Sequence, residues 1–199
     1  MKIEAVFFDL GGVLLRTEYQ APREHLAERL GLSYDDLVRM IFESESARKA
    51  SLGEITVQQH WEAVAARLRR PASEIPSIRG EFFGGDVLDR ELLEFIRGLR
   101  QTRRTGLISN GWPDLREYIV RNGFADAFDA IVISAEVGLL KPDARIYQLA
   151  LQSLRALPQA TALVDDMPAN VDAARSLGME GIVFREAGQA RQELQRLLA

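Results

Sequence analysis

The chain of 199 residues contains no cysteine. That absence removes disulfides, thiolate metal sites and a cysteine nucleophile together, and it fits a reducing compartment. The chain also lacks a basic excess: 25 Lys and Arg stand against 29 Asp and Glu, a net charge of −4. Nucleic acid is therefore not an expected partner, because phosphate backbones are met by clustered positive charge. A small anionic ligand needs only one local Lys or Arg and stays allowed. Long apolar runs are missing as well. After Met1 the stretch KIEAVFFDLGGVLL places one Lys before a short apolar segment that Asp9 interrupts. It makes a poor secretory leader and is too short to span a bilayer. No membrane partner is expected, and the expected location is the cytoplasm. There is no internal repeat, low-complexity tract or long linker.

What is present is ordinary in bulk, with 47% hydrophobic and 27% charged residues, as in globular domains generally. The length allows one large domain, or a domain with an insertion, and a sizeable core. Residues 3–8, IEAVFF, form a short apolar run closed by glycines and predict a buried strand. From about Tyr19 to Phe83 the pattern turns helical. PREHLAERLGL has Pro22 at its start and Gly31 at its stop, and Ser33 opens a second predicted helix that runs to Gly53. Thr56 is the expected cap of a third, and SEIPSIRGEFFGG is a weaker fourth with Gly84-Gly85 as an expected hinge.

Beyond residue 86 strands and helices alternate: LDRELLEFIRGLRQ, TGLISN, DLREYIVRNG, AIVISAE, PDARIYQLALQSL, TALVDD, PANVDAARSLGM, EGIVF and GQARQELQRLLA. This rhythm predicts an α/β fold, a Rossmann-like parallel sheet with helices on both faces. The helical block then becomes an all-helical insertion. The expected division is a sheet domain from residues 1–15 and 86–199, with a helical cap over 16–85.

Parallel α/β sheets bind ligands beyond the C-terminal ends of their strands. The first strand is followed by Asp9 and the glycines Gly11 and Gly12, the second by Ser109-Asn110, the third by Lys141 a little downstream, and the fourth by Asp165-Asp166. Singly, each has a plain reading: a turn residue, a loop, a solvated charge, a helix cap. Together they place one hydroxyl, one amide, one cation and three carboxylates on one predicted edge, a composition that suits phosphate and Mg²⁺. Mg²⁺ takes hard oxygen ligands, often one or two carboxylates plus substrate and waters. Lys141 would neutralise phosphate oxygens, and Ser109 with nearby backbone N–H groups would hydrogen-bond them.

Four motifs in this order resemble the haloacid dehalogenase superfamily: FFDLGGVL, LISN, Lys141 in GLLKPDARIY, and LVDDMPANVDAARSLGM. The block over 16–85 resembles the small helical cap of many members. Within it, LGEITVQQHWEAV is similar to a segment of the subgroup that includes sugar-phosphate phosphatases and the phosphatase half of epoxide hydrolases. The resemblance implies a Mg²⁺-dependent phosphatase acting on a small phosphorylated substrate through an aspartyl-phosphate. Asp9 would be nucleophile and metal ligand, Asp166 the second carboxylate on the metal, and the backbone carbonyl of Gly11 a third contact. Ser109, Asn110 and Lys141 would bind the phosphoryl group. Asp165 and Asn170 would sit behind them, Asp165 steadying Lys141 or a metal-bound water. Monomer and homodimer are both compatible.

One position departs from the pattern. Most phosphatases of this superfamily carry a second Asp two residues past the nucleophile, which protonates the leaving alcohol and then deprotonates the attacking water. Here that residue is Gly11. The missing proton shuttle is worth about a hundred- to ten-thousand-fold in rate. Three readings follow: a weakened or specialised phosphatase, a 2-haloacid dehalogenase whose halide leaves without a proton, or a catalytically weak or inactive binding module. Against the second, such dehalogenases lack the paired acids and use no metal. Substrate choice would fall to residues near the cap, with Arg16 and Trp112 as candidates. Arg16 would pair with a second polar group of the substrate or lie on the surface. Trp112 would stack on a sugar or pack the cap against the sheet domain.

Overall fold

The computed structural model describes residues 2–199. Strand β1 (Ala5–Phe8) leads through a tight turn to β2 (Leu15–Thr17). Five helices follow, α1 (Ala21–Leu30), α2 (Tyr34–Phe42), α3 (Glu45–Ser51), α4 (Val57–Arg67) and α5 (Ile75–Phe83), and then β3 (Asp86–Leu88). The alternating part comprises α6 (Arg90–Arg100), β4 (Arg104–Ser109), α7 (Leu115–Arg121), β5 (Ala130–Ile133), α8 (Ser134–Val137), α9 (Ala144–Leu154), β6 (Thr161–Asp165), α10 (Pro168–Ser176), β7 (Glu180–Val183) and α11 (Ala187–Leu198).

Five strands pair in the order β5-β4-β1-β6-β7, every pair parallel. This is a Rossmann-like α/β sheet. Strand β1 sits at its centre and is buried along its whole length, as expected where helices cover both faces of a parallel sheet. Its side chains alternate between two apolar layers. Val6 and Phe8 join Leu107 and Val164 against Leu92, Leu93 and Ile96 of α6 and Leu194 of α11. Ala5 and Phe7 join Ile108 and Leu163 against Ile146, Tyr147 and Ala150 of α9. The chain moves outward from β1 through β4 to β5, then crosses back to β6 on the other side. The C-terminal end of β1 is thus the reversal point, where such sheets open a crevice.

The helical block has a separate apolar centre, with Leu26, Leu37, Ile41, Trp61, Val64, Ile78 and Phe82 all buried. Helices α2, α3 and α4 start where hydroxyls meet the orphan N–H groups of a first turn. Ser33 accepts from the Asp36 N–H, and Thr56 forms a capping box with Gln59. The expected long helix from Ser33 to Gly53 is two helices. Ser44 adopts extended backbone (φ −69°, ψ 161°) and accepts from the Ala47 N–H, which ends α2 and starts α3. A serine hydroxyl competes with the helical ladder in this way.

A short antiparallel ribbon, β2 with β3, joins the block to the sheet. The backbone N–H groups of Glu18 and Tyr19 extend it by donating to the Gly85 carbonyl at 3.1 and 3.2 Å. Strands of three residues gave too little alternation to be predicted. Gly84 closes α5 and Gly85 lies within the paired ribbon, where a Cβ would fall 1.8 Å from the Tyr19 carbonyl oxygen. Close backbone approach accounts for that glycine. Arg23 of α1 is buried against the ribbon, donating to the Phe82 carbonyl and to Asp86, both at 2.8 Å. Among the described residues no helix is long and apolar enough to cross a membrane.

Candidate active site

Sheet pairing delivers the acidic and basic groups to one place. The Asp9 N–H donates to the Val164 carbonyl at 2.9 Å, so the carboxylate leaves β1 beside the end of β6. Lys141, in the loop before α9, reaches in with only 4% of its surface exposed. Its Nζ lies 2.8 Å from Asp9 Oδ1 and 2.6 Å from Asp165 Oδ2. Asp9 is 7% exposed and Asp165 fully buried. One carboxylate oxygen from each of Asp9, Asp165 and Asp166 lies within 4.8 Å of the others.

Asp165 is fully engaged. It accepts from Lys141, from the Met167 N–H at 2.9 Å, and from Asn170 Nδ2 at 2.9 and 3.1 Å. Asn170 follows on the first turn of α10, and its own carbonyl accepts from the Tyr147 hydroxyl at 3.0 Å. Asp165 therefore holds the lysine and has no oxygen left for a ligand. Asp9 Oδ1 is similarly committed, to Lys141 and to the Leu10 N–H at 2.7 Å. Its second oxygen accepts no hydrogen bond among the described residues, and the Asp166 carboxylate meets only backbone N–H groups, its own and that of Met167. Nor does the Gly11 carbonyl accept from the backbone. Two carboxylate oxygens and a carbonyl are the hard donors Mg²⁺ takes, with phosphate and water completing the shell. The donor set fits that ion.

Charge at the site follows from burial. Desolvation drives the Asp9 carboxyl upward, Lys141 pulls it down, and Asp165 and Asp166 push it up again, leaving it at about 7. Burial and the neighbouring Asp165 also raise Asp166. Burial alone would lower Lys141, but Asp9 and Asp165 outweigh it and hold the ammonium above its ordinary range. The cluster has surplus negative charge that one lysine does not cover, and a divalent cation would offset it.

Ser109 ends β4, buried, and its hydroxyl forms no hydrogen bond among the described residues. The Asn110 side chain is occupied: Nδ2 donates to the Lys141 carbonyl at 3.0 Å, and Oδ1 accepts the Lys141 N–H at 2.8 Å. It fixes the lysine loop, which leaves its backbone as the part able to meet phosphate. Arg16 lies on β2 and is tied to Glu18 and Asp89 at 2.9 Å each. It is not a free cation at the site. Trp112 packs into the aromatic group of the helical block, with ring centroids 4.7 Å from His60, 5.9 Å from Phe42, 6.1 Å from Trp61 and 6.3 Å from Phe83. It joins the loop after β4 to that block.

Two supporting residues were missed in the sequence. The Ser134 hydroxyl accepts from the Gly111 N–H at 3.0 Å and donates to the Gly111 carbonyl at 3.2 Å, pinning the loop after Asn110. It was hidden inside the stretch AIVISAE, which reads as a strand, whereas in the structure β5 ends at Ile133 and Ser134 opens α8. Tyr147 reads as a core aromatic, and only its hydroxyl contact to Asn170 sets it apart.

Comparison with known proteins identifies the family. The family model for haloacid dehalogenase-like hydrolases matches residues 3–178. The bifunctional epoxide hydrolase 2 of Rattus norvegicus is 26% identical over 217 residues, covering 99% of this chain but 39% of that protein. The chain therefore spans well under half of that relative. A phosphorylated carbohydrates phosphatase of Thermotoga maritima is 29% identical over 185 residues, covering 90% of this chain and 84% of that one. In fold, the chain is similar to a HAD family enzyme of Bacteroides thetaiotaomicron solved with magnesium and inorganic phosphate. The TM-score is 0.78 at 20% identity, covering 96% and 98% of the two chains.

Proposed function

The chain belongs to the haloacid dehalogenase-like hydrolases, and from that premise we propose that it is a Mg²⁺-dependent phosphatase of a small phosphate monoester, working through phosphorylated Asp9. The observation that carries this reading is Lys141 held between Asp9 and Asp165, with Asp166 alongside and paired with no side chain. A lone nucleophilic carboxylate needs no such cluster. A carboxylate that meets a dianionic phosphoryl group does.

In this reading a carboxylate oxygen of Asp9 attacks phosphorus in line with the departing oxygen. Lys141 holds Asp9 in the attacking rotamer and contributes positive charge to the phosphoryl oxygens. The Ser109 hydroxyl and the N–H groups that follow it bind those oxygens. Water then attacks the phosphorylated Asp9, releasing phosphate and restoring the carboxylate. Asp9, Asp166 and the Gly11 carbonyl would hold Mg²⁺, which supplies charge neutralisation at the phosphoryl group when bound. Asp165 and Asn170 position Lys141. The helical block serves as a cap over the sheet edge and excludes water during attack.

A set of phosphate esters assayed with Mg²⁺, with EDTA, and with the Asp9→Asn variant tests this. Turnover should need Mg²⁺ and fall by on the order of 10⁴-fold in Asp9→Asn. Chloride release from 2-chloropropionate in EDTA would instead establish the dehalogenase. Bound Mg²⁺ with no turnover of any ester would establish a binding module.

A further inference from the structure

Gly11 stands where a proton donor to the leaving group would be attached, and the fold does not demand glycine there. Its φ lies outside the left-handed region, and a Cβ built on it meets no heavy atom within 4 Å. Its neighbour is the reverse: Gly12 runs at φ +78°, and a Cβ would fall 2.2 Å from Asp166 Oδ2. Side-chain space at position 11 is present and empty.

No other residue fills the role. The chain has two histidines and no cysteine. His25 is exposed on α1, while His60 is sealed inside the helical block with Nδ1 on Ser46. Lys141 is held by two carboxylates and keeps its proton. Glu18, just past β2, is paired with Arg16.

We infer that this enzyme acts on phosphate monoesters whose leaving oxygen departs as a stabilised anion: enol or aryl phosphates. The inference rests on the phosphatase reading above. In the first step the bond from Asp9 oxygen to phosphorus forms as the bond to the leaving oxygen breaks. That oxygen keeps the electron pair and departs as the anion, taking its proton later from solvent. Simple alkoxides, which need a proton as they leave, are excluded by the missing donor rather than by size.

The test compares p-nitrophenyl phosphate with benzyl phosphate, which is similar in size but releases a poor alkoxide, together with phenyl phosphate, in the Mg²⁺-loaded parent, Gly11→Asp and Gly11→Asn. In the parent, kcat/KM should fall steeply from p-nitrophenyl through phenyl to benzyl. Gly11→Asp should narrow the p-nitrophenyl to benzyl ratio by about a hundred-fold or more. Gly11→Asn, of equal shape but without an acidic proton, should leave the ratio as in the parent. A shallow dependence in the parent, or equal narrowing by Asp and Asn, overturns the inference and leaves the phosphatase reading intact. Failure of the parent to turn over any of the three above the Asp9→Asn background overturns the phosphatase reading and this inference with it.

Discussion

Gly12 holds the β1–β2 turn at φ +78° with the Asp166 carboxylate against it, while Gly11 beside it has ordinary φ and open space. The two should respond oppositely to one added methyl. Gly12→Ala places an L residue in left-handed backbone, at a cost of about 1–2 kcal/mol, and pushes Asp166 from its place. Gly11→Ala shortens the list of unfolded conformations without native strain and should add about 0.4–1 kcal/mol. Urea unfolding of both variants checks the sign, and Mg²⁺ titration checks whether Asp166 moved in Gly12→Ala. A Gly12→Ala protein as stable as its parent would refute the reading of this turn. From sequence alone Gly11 was the place of a missing acid and Gly12 only its neighbour in the turn, because spacing carries no φ and no contacts.

At the scale of elements, the helical block depends on side chains that its periodicity does not reveal. His60 of α4 is fully buried, hydrogen-bonded through Nδ1 to Ser46 of α3, while its Nε2 and the Trp61 Nε1 lack partners. Burial holds the His60 imidazole below its ordinary range, with the Ile41 carbonyl opposing weakly. The unfolded chain then binds the extra proton more readily than the folded one. Stability is present above the unfolded value near 6.5 and is lost as pH falls below it. Thermal unfolding between pH 7 and pH 5 should show the block weakening, and His60→Gln should lose that part of the pH dependence. A His60→Gln profile parallel to the parent's would remove His60 as the cause.

The helices of this block were readable because serine, threonine, proline and glycine mark their ends. The break at Glu43–Ser44 was not, since Ser44 fits a helix surface as well as a cap. The four strand-end groups were readable in chain order, because a parallel sheet brings its strand ends to one edge whatever the intervening sequence. Their division of labour was not: that Asn110 grips the Lys141 backbone and Asp165 accepts four hydrogen bonds depends on where side chains meet.

Across the whole molecule the apolar interior is partitioned. No residue of 18–85 belongs to either layer flanking the sheet, and Trp112 is the residue from outside the block that packs against its centre. The Arg79–Asp114 ion pair adds a second tie between the block and the loop after β4. The sheet domain should therefore fold without the helical block. Joining Thr17 to Asp86 through an Asn-Gly turn, the sequence suited to a tight hairpin, should give a protein that melts cooperatively and binds Mg²⁺. On the function proposed above, its selectivity among phosphate esters should be lost, since the proposed cap is gone. A non-cooperative melt would show that the two interiors are one folding unit.

The β2–β3 ribbon makes that experiment possible, and it has an evolutionary side. Antiparallel pairing of Leu15 with Leu88 and Thr17 with Asp86 brings the exit and the return of the chain to adjacent strands, about 5 Å apart. To the sheet, everything between them is the tip of a hairpin. Recombination at this socket would exchange the whole helical block without disturbing Asp9 a few residues upstream, so proteins sharing this sheet edge can differ in the block they carry.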